Sequence, residues 1–127
     1  MSQATSANSI IKTFKASAAI VPGHTVDLSA AGTVTESSGA NTAVGVYIGA
    51  AACGIGDYVE VCILGPCRAW CETVVTVGPN TALSNDANAH VIIEATTKKR
   101  VLGYCLEPMA SGTGYIEILV APSVMCA

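Results

Sequence analysis

The sequence predicts an all-β protein: a compact β-sandwich or barrel of two similar halves, preceded by an N-terminal arm. Three observations lead there. Gly and Pro punctuate every short interval, with β-branched residues clustered between them, the pattern of many short strands. Several of those runs alternate apolar and polar residues with period two. One such arrangement then recurs later in the chain.

Candidate strands, in order, are 11–20, 24–28, 33–36, 43–48, 57–64, 68–75, 90–94, 100–106 and 115–120. In Tyr58-Val59-Glu60-Val61 and Tyr115-Ile116-Glu117-Ile118, Tyr and Glu fall on one face and the aliphatics on the other. The recurrence sets residues 21–64 against 77–120. VPGHTVDLS, VGVYI and GIGDYVEV in the first copy match VGPNTALS, VLGYCL and GTGYIEI in the second. Each copy carries a Gly inside an apolar strand, then a Gly-x-Gly feeding Tyr-aliphatic-Glu-aliphatic. Two such units are expected to pair their open edges into one body.

Residues 1–14 are assigned to the arm and 15–127 to a single β domain, which suits a chain of 127 residues. The stretch MSQATSANS is polar and has little to pack with alone. Ile10, Ile11 and Phe14 then fit either a first core strand or an arm that adds to a partner's sheet edge.

Charged residues are only 12% of the chain, against roughly 25% in ordinary soluble domains. Either part of the surface is covered in the working state, or Ser and Thr do the solvating. Net charge is −3, and the cations are Lys12, Lys15, Arg68 and the run Lys98-Lys99-Arg100. That is too small a basic footprint for nucleic acid. No window approaches the ~20 apolar residues of a membrane helix. The start lacks the basic-then-apolar layout of a signal peptide. The chain is therefore expected to fold in a reducing cytosol, where six cysteines do not by themselves mean disulfides.

Chemistry-bearing motifs lead nowhere catalytic. Gly54-Ile55-Gly56 and Gly112-Thr113-Gly114 each run into a strand rather than a helix, so they read as turns and not phosphate loops. Cys62, Cys67 and Cys71 read C-x4-C-x3-C, without paired knuckles or nearby histidines, so no metal or cofactor is expected. A Cys67–Cys71 bridge within one strand is excluded, since four residues put the α-carbons ~13 Å apart. Cys62 bonded to either, across a Gly65-Pro66 turn, stays open beside the alternative of buried thiols. Carboxylates are scattered singly, and Ser84-Asn85-Asp86 reads as a turn. No set of nucleophile, base and stabiliser can be assembled, so the chain is read as a non-enzyme. Trp70 reads as a packing group. With Tyr47 it is also the only candidate platform for a sugar.

The layout resembles the small head-decoration (cement) proteins of tailed bacteriophages. The residues that carry the resemblance are the Pro-Gly-x-Thr-Val turn at 22–26, Val44-Gly45-Val46-Tyr47-Ile48, and Gly-Asp-Tyr-Val-Glu-Val at 56–61. Val77-Gly78-Pro79-Asn80-Thr81-Ala82-Leu83, the strand 101–108 and the final strand 115–120 complete it. The resemblance spans roughly residues 20–120 and implies a β-tulip-like fold like that of the lambda head-decoration protein. It also implies a virion protein, made in the host cytoplasm, that binds the outside of the expanded capsid. There it clamps neighbouring major capsid protein subunits, commonly as a trimer. An N-terminal arm often makes the contact in that family, and Ile10, Ile11 and Phe14 fall where it would sit. The six cysteines depart from the usual family pattern. The competing readings are another virion β-domain, from a tail or fibre, and a surface carbohydrate-binding module.

Overall fold

The computed structural model describes residues 9–29, 32–72, 81–94, 99–107 and 113–124. They form nine strands: β1 Ile10–Ala16, β2 Thr25–Leu28, β3 Thr33–Glu36, β4 Gly45–Tyr47, β5 Tyr58–Glu72, β6 Ala82–Asn85, β7 Val91–Ile93, β8 Arg100–Cys105 and β9 Thr113–Val124. Among the described residues there is no α-helix. The protein is all-β, as the alternation requires.

The strands close on themselves twice. The first ring runs β1-β3-β2-β4-β5 and back to β1; the second runs β5-β7-β6-β8-β9 and back to β5. Within the first, β1–β3 is parallel and every other pairing antiparallel. Within the second, β5–β7 is parallel and every other pairing antiparallel. Strand for strand, the order and senses are the same, and β5 serves as a stave of both rings. Closure removes the sheet edges that an open β-domain leaves exposed.

Alternation decides which side chains fill each ring. Val59, Val61, Ile116 and Ile118 point inward and are buried, while Tyr58, Glu60, Tyr115 and Glu117 face out. The first core holds Ala16, Ile20, Val26, Val34, Tyr47, Cys53, Val59 and Val61, with Phe14 packed against it. The second gathers Cys67, Ala69, Cys71, Leu83, Val91, Leu102, Cys105, Ile116, Ile118 and Val120, and continues onto Val46, Ile48 and Cys62. These are small side chains, and burying each is worth roughly 1.5–3 kcal/mol or less. Two narrow cores of Val, Ile and Ala therefore replace one thick aromatic core.

The narrowness of the rings explains the glycines inside the apolar strands. Gly45 on β4 lies so close to β5 that a Cβ there would strike the carbonyl oxygen of Cys62. Gly103 on β8 lies closer still to β9, and a Cβ there would strike the carbonyl oxygen of Leu119. Tyr47 is the one large aromatic inside, 7% exposed, and its hydroxyl donates to the Ala51 carbonyl at 2.7 Å. Burial, with Cys53, Asp57 and Glu60 nearby, pushes its phenol pKa up. Removing that bond in Tyr47→Phe is expected to cost about 1 kcal/mol, read from the shift of the urea midpoint.

Three expectations are corrected. Residues 57–64 and 68–75 were expected as separate strands flanking a Gly65-Pro66 turn, but β5 runs unbroken through both residues. Gly65, at φ 104°, bends the strand without reversing it. Pro66 is tolerated because its register partner, Leu119, lies on one side only; the β1 pairing ends at Leu64 and β7 joins at Cys71. Ser84 and Asn85 are not a turn but the end of β6, paired with β7. Finally, the first strand stops at Ala16, and Ile20 makes only an isolated bridge to Cys53.

Ile10, Ile11 and Phe14 stand in β1, opposite Leu64, Cys62 and Val59 of β5. Residues 1–8, the rest of the expected arm, lie outside the described residues, as do residues 77–80 of the second repeat copy.

Candidate interaction surface

The residues that join the rings are polar, and Thr25, Ser37, Ser84, Asn85 and Glu94 among them are buried. Asn85, 1% exposed, uses its whole amide. Its Oδ1 accepts from the backbone N–H groups of Thr42 (3.0 Å) and Ala43 (2.9 Å), and its Nδ2 donates to the carbonyls of Gly39 (2.8 Å) and Asp86 (2.9 Å). β6 thereby holds the 39–43 loop of the first ring. Beside it, the Thr25 hydroxyl donates to Ser37, and Ser37 donates to Asp27 at 2.7 Å. Thr42 donates to the same carboxylate. Asn41 reaches across to Ser84, Glu94 and the Arg100 carbonyl. The Arg100 guanidinium reaches the Ala43 carbonyl at 3.3 Å.

The two histidines, 66 positions apart, meet at this junction with ring centroids 5.0 Å apart. His24 Nδ1 lies 2.9 Å from Glu36 and His90 Nδ1 3.7 Å from Asp86. No single motif pointed to this pairing, because it depends on how the two rings dock.

The outer face of β5 and β9 carries a cross-strand ladder: Pro66 opposite Leu119, Arg68 opposite Glu117, Trp70 opposite Tyr115. Trp70 and Tyr115 meet edge to face at 5.0 Å, and Arg68 lies 5.9 Å from the Tyr115 ring. The Tyr115 hydroxyl donates to the Pro22 carbonyl at 3.1 Å. Trp70 thus packs with Tyr115. Tyr47, the partner expected for a sugar platform, is enclosed in the first ring.

Of the three residues expected to contact a capsid, only Ile10 is substantially exposed, at 51%. Ile11 is half-buried against the second core, and Phe14 against the first, with the Lys12 ammonium 5.7 Å above its ring. The sequence reading missed Leu64, 44% exposed and directly opposite Ile10. Together they form an exposed aliphatic pair at the waist between the rings. Cross-strand register was the missing information. Ile55 and Tyr58 are exposed at the far end of the first ring.

The cysteines Cys53, Cys62, Cys67, Cys71 and Cys105 are all buried. None of them forms a disulfide with another. Burial raises the Cys105 pKa, although its thiol donates to the Glu107 carbonyl at 2.9 Å. Among the described residues no three metal-ligating side chains converge and no cavity is enclosed.

No protein-family model matches the chain, and no curated protein matches it in sequence. Its fold is similar to that of a solved structure, the N base of head fibre gp8.5 of bacteriophage phi29. The TM-score is 0.61 at 14% identity, over 89% of this chain and 94% of that one.

Proposed function

We propose that this chain is a non-enzymatic structural protein of a phage virion, bound to the outer surface of the expanded head. The observation that carries this reading is the likeness of fold to a head fibre base over most of both chains. Low charge and exposed aliphatic groups support it, since they suit a surface covered by other subunits. The partner is the major capsid protein, and the chain acts as a cement that clamps neighbouring subunits, as a trimer. Weak single contacts suffice, because a symmetric lattice multiplies them. A binder that prefers the expanded shell stabilises that shell by mass action.

The test is co-sedimentation with expanded shells of the major capsid protein from the same genome. Saturable binding at fixed stoichiometry is expected. The Ile10–Leu64 pair is the contact we assign to the shell, so Ile10→Asp with Leu64→Asp is expected to weaken binding at least tenfold while the domain stays folded. Absence of binding by the folded wild-type chain overturns the reading. Undiminished binding by the variant overturns only the contact.

A second reading, the base domain of a head fibre, is favoured by the neighbour being a fibre base itself. Immunoblots of virions separate the two. A band at 12.8 kDa supports a free-standing cement, and a longer polypeptide supports a fibre.

A further inference from the structure

The two rings correspond residue for residue through their pairing registers. Leu28 opposes Val34, which opposes Ala16; in the second ring Asn85 opposes Val91, which opposes Cys71. Tyr58 opposite Lys15 answers to Tyr115 opposite Trp70. The turns that follow Leu28 and Asn85 match as well. The Ser29 N–H donates to the Thr33 carbonyl at 2.8 Å, and the Asp86 N–H to the His90 carbonyl at 2.9 Å. Gly32 (φ 77°) and Ala89 (φ 64°) hold the same left-handed place in them. In the second ring this end is occupied by the first ring. Asn85 holds the 39–43 loop, the Ala89 carbonyl accepts from the Thr25 N–H at 2.9 Å, and the Tyr115 hydroxyl donates to the Pro22 carbonyl. Asn85 and Ala89 are accordingly buried. In the first ring the same end is open: Leu28 is 54% exposed, Tyr58 75%, and Gly32 is exposed with them.

We propose that this open end of the first ring docks onto the second ring of another copy, repeating between molecules the contact that the two rings make within one. The receiving residues are those that correspond to the first ring's own. Ala82 opposes Tyr104 as Thr25 opposes Val46, and the Ala82 and Thr25 carbonyls accept alike from the N–H groups of Glu94 and Ser37. Ala82 is therefore the counterpart of Thr25, and it is half-buried where Thr25, bonded to Ala89, is fully buried. Counting back from the matched Gly45 and Gly103, Arg100 stands for Thr42. Leu28 replaces Asn85, so between copies apolar burial takes the part that amide hydrogen bonds play inside the molecule. A stack of repeated units needs a polar face on its last unit to stay separate. This end instead presents Leu28, Ile55 and Tyr58. The two docking ends lie on different rings, so the contact is heterologous and passes from copy to copy, closing into a ring or running on as a fibre. The proposal goes beyond the capsid reading, because the contact needs no shell.

The experiment uses the full isolated chain, so its failure and a failure to bind shells are separate results. Sedimentation velocity over a wide range of concentration is expected to show the 12.8 kDa chain associating. Leu28→Asp is expected to weaken that association by about tenfold or more. Benzoylphenylalanine in place of Leu28 is expected to photo-cross-link to a second copy around Ala82 and Arg100, as mapped by mass spectrometry. In place of the exposed Thr13 it should give no such link. A wild-type chain that stays monomeric at every concentration overturns the proposal, and so does a cross-link from position 28 to any other part of the second copy. Cross-linking from position 28 to the major capsid protein, with the isolated chain monomeric, assigns this end to the shell and equally overturns it. The mass is read on the wild-type chain, so the test stands even where a variant fails to fold.

Discussion

Asn85→Ala is expected to lower the unfolding free energy by about 4 kcal/mol, the largest effect of any single polar truncation here. The substitution strands the N–H groups of Thr42 and Ala43 and the carbonyls of Gly39 and Asp86, at a junction that is buried at Ala43 and part-buried at the other three. Each unsatisfied buried group costs about 1–3 kcal/mol, with part recovered by relaxation or an admitted water. Small domains have only about 5–15 kcal/mol in total. Asn85→Asp should also destabilise strongly, since a carboxylate cannot donate to the two carbonyls. Asn88→Ala, at an exposed turn, should change stability by less than about 0.5 kcal/mol. Urea unfolding followed by Trp70 fluorescence measures all three. An Asn85→Ala midpoint close to that of Asn88→Ala would show that the amide does not hold the rings together.

Gly103→Ala is expected to cost about 3 kcal/mol, toward the upper end for overpacking. The collision is with the backbone of β9, which cannot rotate away as a side chain can. Relief requires β8 and β9 to separate, breaking register around Gly103 and Val120. Gly45→Ala should behave alike against β5. Gly54→Ala is the control, because a Cβ there meets only the Asp57 carboxylate at 3.8 Å. Thermal unfolding of the three variants distinguishes close backbone approach from a general intolerance of side chains at glycine positions. Equal melting temperatures for Gly103→Ala and Gly54→Ala would refute the packing argument.

These two residues also show how far the sequence could be read. Gly103 was visible, because a glycine interrupting an apolar run invites a steric explanation, and its counterpart Gly45 stands at the matching place. The alternating Tyr-x-Glu-x segments were visible for the same kind of reason: period two is a local property that burial on one face enforces. Asn85 was hidden. Ser-Asn-Asp has the composition of a turn, and β6 is a strand only because β7 and β8 flank it. Setting Thr81-Ala82-Leu83-Ser84 against the start of β2 was the one signal that could have revealed it. Gly65-Pro66 misled for a related reason. The pair has strong turn chemistry, yet both neighbouring stretches of β5 are fixed by partners distant in sequence. At the surface, Ile10 was legible as an apolar residue in a polar stretch. Leu64 needed the register of β1 on β5 before it could be seen as its companion.

A strand that supplies a stave to each of two rings joins them through one unbroken backbone. Residues 58–64 of β5 pair in the first ring and residues 65–72 in the second, so a load on one ring reaches the other along a single continuous backbone. A force applied through β1 is carried along the Tyr58–Glu72 backbone into β9 by shear on hydrogen bonds spread over its length, rather than by peeling them one at a time. Such a link carries tension end to end, through two successive sheared stretches of one strand.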